Sequence, residues 1–139
     1  MKIKKQAFFK SGVSEVWNKA TDLSDQLWRS DISRVDSFEQ GKKFRETTKK
    51  GAVTEFEVIL FEPVSRYACK MENEKFSGSF SLCLSIAADG SPEKDGTRLI
   101  LTEEIKAKNP LLAPAMYCFV RAAMARYMAD LALALGEKN

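Results

Sequence analysis

Glu103 is the side chain with the clearest chemical potential in this 139-residue chain. It ends the stretch Leu99-Ile100-Leu101-Thr102-Glu103, which alternates with the two-residue period of a strand. If Leu99 and Leu101 face an interior, Glu103 faces it as well. Burial raises a carboxyl toward the pKa range of a general acid, whereas pairing with Arg45, or with Arg126 on a later helix, lowers it. A β-bulge that shifts the register is the alternative, and it leaves Glu103 and Glu104 in water. Tyr67, Tyr117 and Tyr127 can donate hydroxyl hydrogen bonds to a carbonyl or phenolic ligand, as the stabilisation of an enolate requires. Buried tyrosines also serve packing alone. Glu103 and Tyr67 are therefore the catalytic candidates if chemistry occurs.

The chain has no histidine. That removes the usual general base, the usual partner of a nucleophile and the commonest metal ligand, so Ser-His-Asp and Cys-His mechanisms are excluded. Cys69, Cys83 and Cys118 are widely spaced, form no C-x-x-C pair and sit in apolar patterns, which predicts reduced, buried thiols and no zinc site. Asp22, Asp25 and Asp31 lack the alternating ligands and central glycine of a calcium loop. No metal and no cofactor is expected.

The elements that must position these residues follow from period and punctuation. Ile3, Ala7, Phe8 and Phe9 among lysines predict a first strand over 3–10, broken by Ser11-Gly12. Ser14 is a candidate cap for a short helix that buries Val16, Trp17 and Ala20, and a second short helical turn is expected over 22–28. Turn chemistry at Gly41, Gly51, Pro63, Asn73 and the 90–96 loop then separates strands near 32–39, 42–49, 52–62, 65–72, 75–88 and 96–106, the spacing of an antiparallel meander. From Pro114 to Leu135 nothing breaks a helix, and Gly136 stops it. Such a helix is about 33 Å long.

On a helical wheel, Met116, Tyr117, Val120, Met124, Tyr127, Met128, Leu131 and Leu135 form one broad stripe that faces the sheet. Cys118, Ala122, Ala125, Ala129 and Ala132 fall on a bare outer face, open to water or to a partner, and Arg126 and Asp130 stand four apart where they can pair. Phe56, Val58 and Leu60 inward imply Tyr67, Cys69 and Met71 inward on the next strand, then Phe80, Leu82 and Leu84. With Phe44, Leu101, Met116, Val120, Met124 and Tyr127, and with Trp28 at the mouth, these residues line either a solid core or a ligand cavity. Periodicity does not separate the two.

Val16-Trp17-Asn18-Lys19-Ala20-Thr21-Asp22-Leu23 followed by Trp28, then Gly41 with Phe44, Phe61-Glu62-Pro63 with Arg66-Tyr67, and Gly96-Thr97-Arg98-Leu99 before a long terminal helix resemble the START-like (SRPBCC) superfamily, in particular its polyketide cyclase/dehydrase and lipid-transport branch. The resemblance spans nearly the whole chain. It implies an α+β helix-grip fold: a curved seven-stranded antiparallel sheet wrapped around the C-terminal helix, with two short helices after the first strand. It also raises the cavity reading over the solid core. Residues 1–139 are expected to form one domain.

The expected function is binding or transport of a hydrophobic small molecule, lipid, polyketide or quinone-like, between the sheet and the last helix. The alternatives are a polyketide cyclase/dehydratase-like enzyme using Glu103 and tyrosines, and an interaction module using the outer helix face. Twenty-two basic against 19 acidic residues leave a net charge of +3 with the signs interspersed, so nucleic-acid binding is not expected. The N-terminus lacks the apolar stretch of a signal peptide and no run of about 18 apolar residues occurs, so a cytoplasmic monomer or homodimer with no integral membrane association is expected.

Overall fold

The alternating segments pair in sequence order into one antiparallel sheet. The computed structural model describes residues 1–87 and 96–137. Its elements are β1 (Lys2–Phe9), α1 (Val13–Thr21), β2 (Ile32–Phe38), β3 (Lys43–Thr48), β4 (Val53–Glu62), β5 (Arg66–Glu72), β6 (Phe76–Ala87), β7 (Gly96–Ala107) and α2 (Ala113–Ala134). The seven strands lie in the order β1-β7-β6-β5-β4-β3-β2, so that the first strand closes against the last. No helix among the described residues is long and apolar enough to cross a membrane.

One short helix, not two, follows β1. Residues 22–28 form turns, because Asp22 folds back on Ser24 through its carboxylate and the buried Gln26 amide donates to the Asp22 carbonyl at 2.8 Å. These side-chain bonds compete with helical ones, as expected of Asp, Ser and Asn near helix ends. Ser14 is not the cap of α1; Gly12 takes that position, without a side-chain hydrogen bond.

α2 lies across the inner face of the sheet. Met116, Val120, Met124, Met128 and Leu131 are buried at the three- and four-residue spacings that put them on one side. Tyr117, by contrast, is exposed, and Ala132 of the expected bare face is buried. The C-terminal half of α2 is fastened by two carboxylates. Asp130 accepts from the Ser30 N–H and hydroxyl at 2.7 and 2.8 Å, and not from Arg126. Glu137 accepts from the Lys10 and Ser11 N–H groups at 2.8 and 2.9 Å and from the Ser11 hydroxyl at 2.7 Å. Gly136, with φ of 77°, makes the left-handed turn that lets the chain reach this clasp. No such clasp holds the first half of α2 among the described residues.

Two local features set the register. The pairing of β4 with β5 slips between Val58 and Leu60, so that Leu60 faces Ala68 and Phe61 faces Tyr67. This bulge turns Leu60 to the outer side of the sheet and brings Phe61 edge-on to Trp17 and Tyr67, with centroids 5.4 and 5.8 Å away. The other feature is Gly78, where a Cβ atom would lie 1.9 Å from the Glu104 carbonyl oxygen of β7. Gly78→Ala should destabilise the protein by about 1–3 kcal/mol, because β7 must move aside; the midpoint of urea unfolding reads it.

Candidate functional site

β7 runs without a bulge against both of its neighbours, so the alternation through Leu99 and Leu101 carries Glu103 to the inner face. There it sits in register between Ile3 of β1 and Phe80 of β6. Apolar flanks strip water from the carboxyl, and its pKa rises to about 7; the Arg29 charge opposes the rise and Glu46 adds to it. No hydrogen bond reaches the Glu103 carboxyl among the described residues. Its neighbour Glu104 points outward, 3.8 Å from Lys2.

The cation that Glu103 faces is Arg29, not Arg45 or Arg126. Arg45 lies on the other side of the sheet, bound to Glu55 at 2.7 Å. Arg29 leaves the turns after α1 and inserts its guanidinium between the sheet and α2, where Nη1 and Nη2 bind the two Glu46 oxygens at 2.5 and 3.1 Å. The two side chains are 15% and 13% exposed. Burial alone would discharge Arg29, but Glu46 outweighs it and the guanidinium stays charged. Its Nε is buried and has no hydrogen-bond partner among the described residues. The guanidinium also stands 5.4 Å from the centre of the Tyr127 ring, whose other neighbour is Trp28 at 5.5 Å.

Around these groups lies a cavity of about 170 Å³ between the sheet and α2. Phe44, Phe56, Phe80, Leu82 and Leu101 of the sheet line it, with Val120 and Met124 of the helix. Tyr67, Glu103 and Tyr127 reach it as well. Burial pushes the Tyr67 phenol up, with Cys69 beside it, and pushes Tyr127 to about 12, so both are neutral hydroxyls. Six expected lining residues are absent from the wall: Leu60 turns outward at the bulge, Cys69 and Leu84 are buried in the core, and Trp28, Val58 and Met116 lie elsewhere. Trp28 packs against Tyr127 and donates to the Asp25 carbonyl. Val58 packs into the core at the bulge, and Met116 lies one turn too early on α2 and faces a neighbouring groove.

Arg29, Glu46 and Gln26, none of them among the expected site residues, also line the cavity, as does Asp31. Glu46 was open to the same argument as Glu103, since Phe44 inward implies Glu46 inward. Arg29 carried no such signal, because the turns before it have no period. Of the thiols, only Cys69 is buried, with its pKa raised to about 12 by burial. Cys83 and Cys118 are exposed, because Leu82 and Leu84 on β6 and Met116 and Val120 on α2 take the inward positions. The early aspartates do not converge: Asp22 binds Ser24, Asp25 binds Lys19 at 3.0 Å and Asp31 lies at the cavity.

The groove beside the cavity has a volume of about 610 Å³ and runs between the turns around Gly51 and Glu74 and the first turns of α2. Phe76 and Phe119 line both spaces, so the groove and the cavity lie side by side.

No family model matches the chain, and no curated protein matches it in sequence. Solved structures do match in fold. A conserved protein from Geobacillus kaustophilus superposes with a TM-score of 0.80 at 14% identity, over 98% of this chain and 95% of that one. The Zhui aromatase/cyclase from a Streptomyces species gives 0.78 at 12% identity, over 94% and 90%. A START superfamily protein from Mycobacterium smegmatis gives 0.71 at 14% identity, over 96% and 93%.

Proposed function

Because the chain has the START-like helix-grip fold, we propose that it binds a hydrophobic small molecule between the sheet and α2. The observation that carries this reading is the cavity, with its aromatic and methionine walls and the Glu103 carboxyl, which no hydrogen bond reaches among the described residues. Apolar walls with a few convergent polar groups are the usual composition of a small-molecule site. A dry cavity of about 150 Å³ holds one benzene, so the inner space suits one ring, and a longer ligand extends past Phe76 and Phe119 into the groove. The polar end sets a further requirement. Arg29 is already neutralised by Glu46, so a ligand carboxylate finds no free cation, whereas a hydroxyl or carbonyl can pair with Glu103 in one of its two protonation states.

Titration with a naphthalene-type fluorophore tests the reading. Wild-type protein should bind it saturably at one site. Ala123→Phe, which pushes a ring into the cavity from α2, should weaken binding at least about tenfold. Absence of saturable binding to wild-type protein, with no molecule retained in native mass spectrometry, overturns the proposal.

Glu103 favours a second reading, a cyclase- or dehydratase-like enzyme. A carboxyl with a pKa of about 7 both gives and takes a proton at neutral pH, and Tyr67 and Tyr127 stand at the same cavity as neutral donors. On that reading Glu103→Gln abolishes turnover of a polyketide-like substrate while probe binding survives.

A further inference from the structure

The groove opens at one end of the molecule, built from the segments 48–53, 73–76 and 107–112. Among the bonds that tie this end together, the Asn73 side chain donates to Thr54 Oγ1, next to the first segment, at 3.1 Å, and the Lys108 N–H donates to the Lys75 carbonyl at 2.8 Å. Apolar side chains project from this end into water. Leu111 is 88% exposed, Leu112 48% and Val53 42%, and Phe119 on the adjoining turn of α2 is 69% exposed. Large apolar residues gathered at one tip and rimmed by polar ones mark an interaction surface.

The charges at this end single out the partner. Within the three segments the charged residues are Lys49, Lys50, Lys75 and Lys108 against Glu74 alone. Their balance is +3, which equals the net charge of the entire chain, so the remainder of the chain is neutral in sum. All four lysines are exposed, and none is ion-paired among the described residues. We propose that this end docks on the surface of an anionic lipid bilayer, with Leu111, Leu112 and Phe119 entering the headgroup boundary and the four lysines meeting lipid phosphates. Protruding single side chains suit a fluid interface that closes around each of them, and a lysine rim adds the electrostatic attraction. Phe119 lies on the first half of α2, which no carboxylate clasp like those of Asp130 and Glu137 holds among the described residues.

Cosedimentation with vesicles tests this surface independently of the cavity. Wild-type protein should pellet with vesicles of equal parts phosphatidylcholine and phosphatidylglycerol at low salt. It should bind pure phosphatidylcholine at least about tenfold more weakly, and high salt should release it. Leu111→Asp/Leu112→Asp and Lys49→Glu/Lys50→Glu, both confined to exposed positions, should each weaken partition about tenfold or more while circular dichroism stays unchanged. Ala123→Phe should sediment like wild type, which separates failure of docking from failure of ligand binding. Wild-type protein that stays in the supernatant with anionic vesicles, or that binds both compositions equally and is unaffected by the leucine substitutions, overturns the proposal. In the first outcome the apolar tip belongs to a protein partner.

Discussion

Arg29→Met should lower the free energy of unfolding by about 3–5 kcal/mol at neutral pH, the cost of stranding one member of a buried ion pair. The reason is geometric. Glu46 is 13% exposed and binds Nη1 and Nη2 of the guanidinium, and no other cation pairs with it among the described residues. Arg29→Met/Glu46→Leu should be far milder than either single change, because it removes both charges and leaves an apolar contact of similar volume. Urea unfolding of the four proteins closes the cycle. The pair also tunes its neighbour: without Arg29 the Glu103 pKa should climb further, and without Glu46 it should fall.

Glu103→Gln should make the protein more stable than wild type in alkaline solution and leave it equal near pH 4. The carboxyl has a pKa of about 7 when folded and an ordinary value of 4.5. Below pH 4.5 it is protonated in both states. Between 4.5 and 7 the unfolded chain releases the proton while the folded one keeps it, so rising pH erodes stability. Above 7 both states are ionised and the loss is complete, at about 3 kcal/mol. Glutamine never ionises, so the advantage of the variant should grow through that window and then level off. Urea midpoints measured from pH 4 to 9 display the curve directly.

The sheet and α2 were legible in the sequence because turn residues and a strict side-chain period mark them. The strands predicted over 65–72 and 96–106 are observed at Arg66–Glu72 and Gly96–Ala107. For Glu103 the period of Leu99 and Leu101 left two readings, inward or turned to water by a bulge, and the unbroken register of β7 decides for the first. What escaped lay where period gives no information. Arg29 leaves an irregular run of turns, and its partner Glu46 is distant in sequence, so their meeting depends on how the loop folds over β3. The bulge between Val58 and Leu60 also left no mark, since both Leu60 and Phe61 are apolar and either could have faced inward. The cavity itself was invisible for a more general reason: alternation tells which side chains face inward, while their packing volumes decide whether they fill the space.

One measurement bears on the central claim that Glu103 forms the polar wall of a ligand cavity. Carbon-13 NMR of the Glu103 side-chain carboxyl, followed from pH 4 to 9 with and without saturating phenol, reads both its burial and its contact with a ligand. The free protein should show a midpoint near 7, and bound phenol should displace it. A midpoint near 4.5 that phenol leaves untouched would contradict the account, since it would place Glu103 in open water.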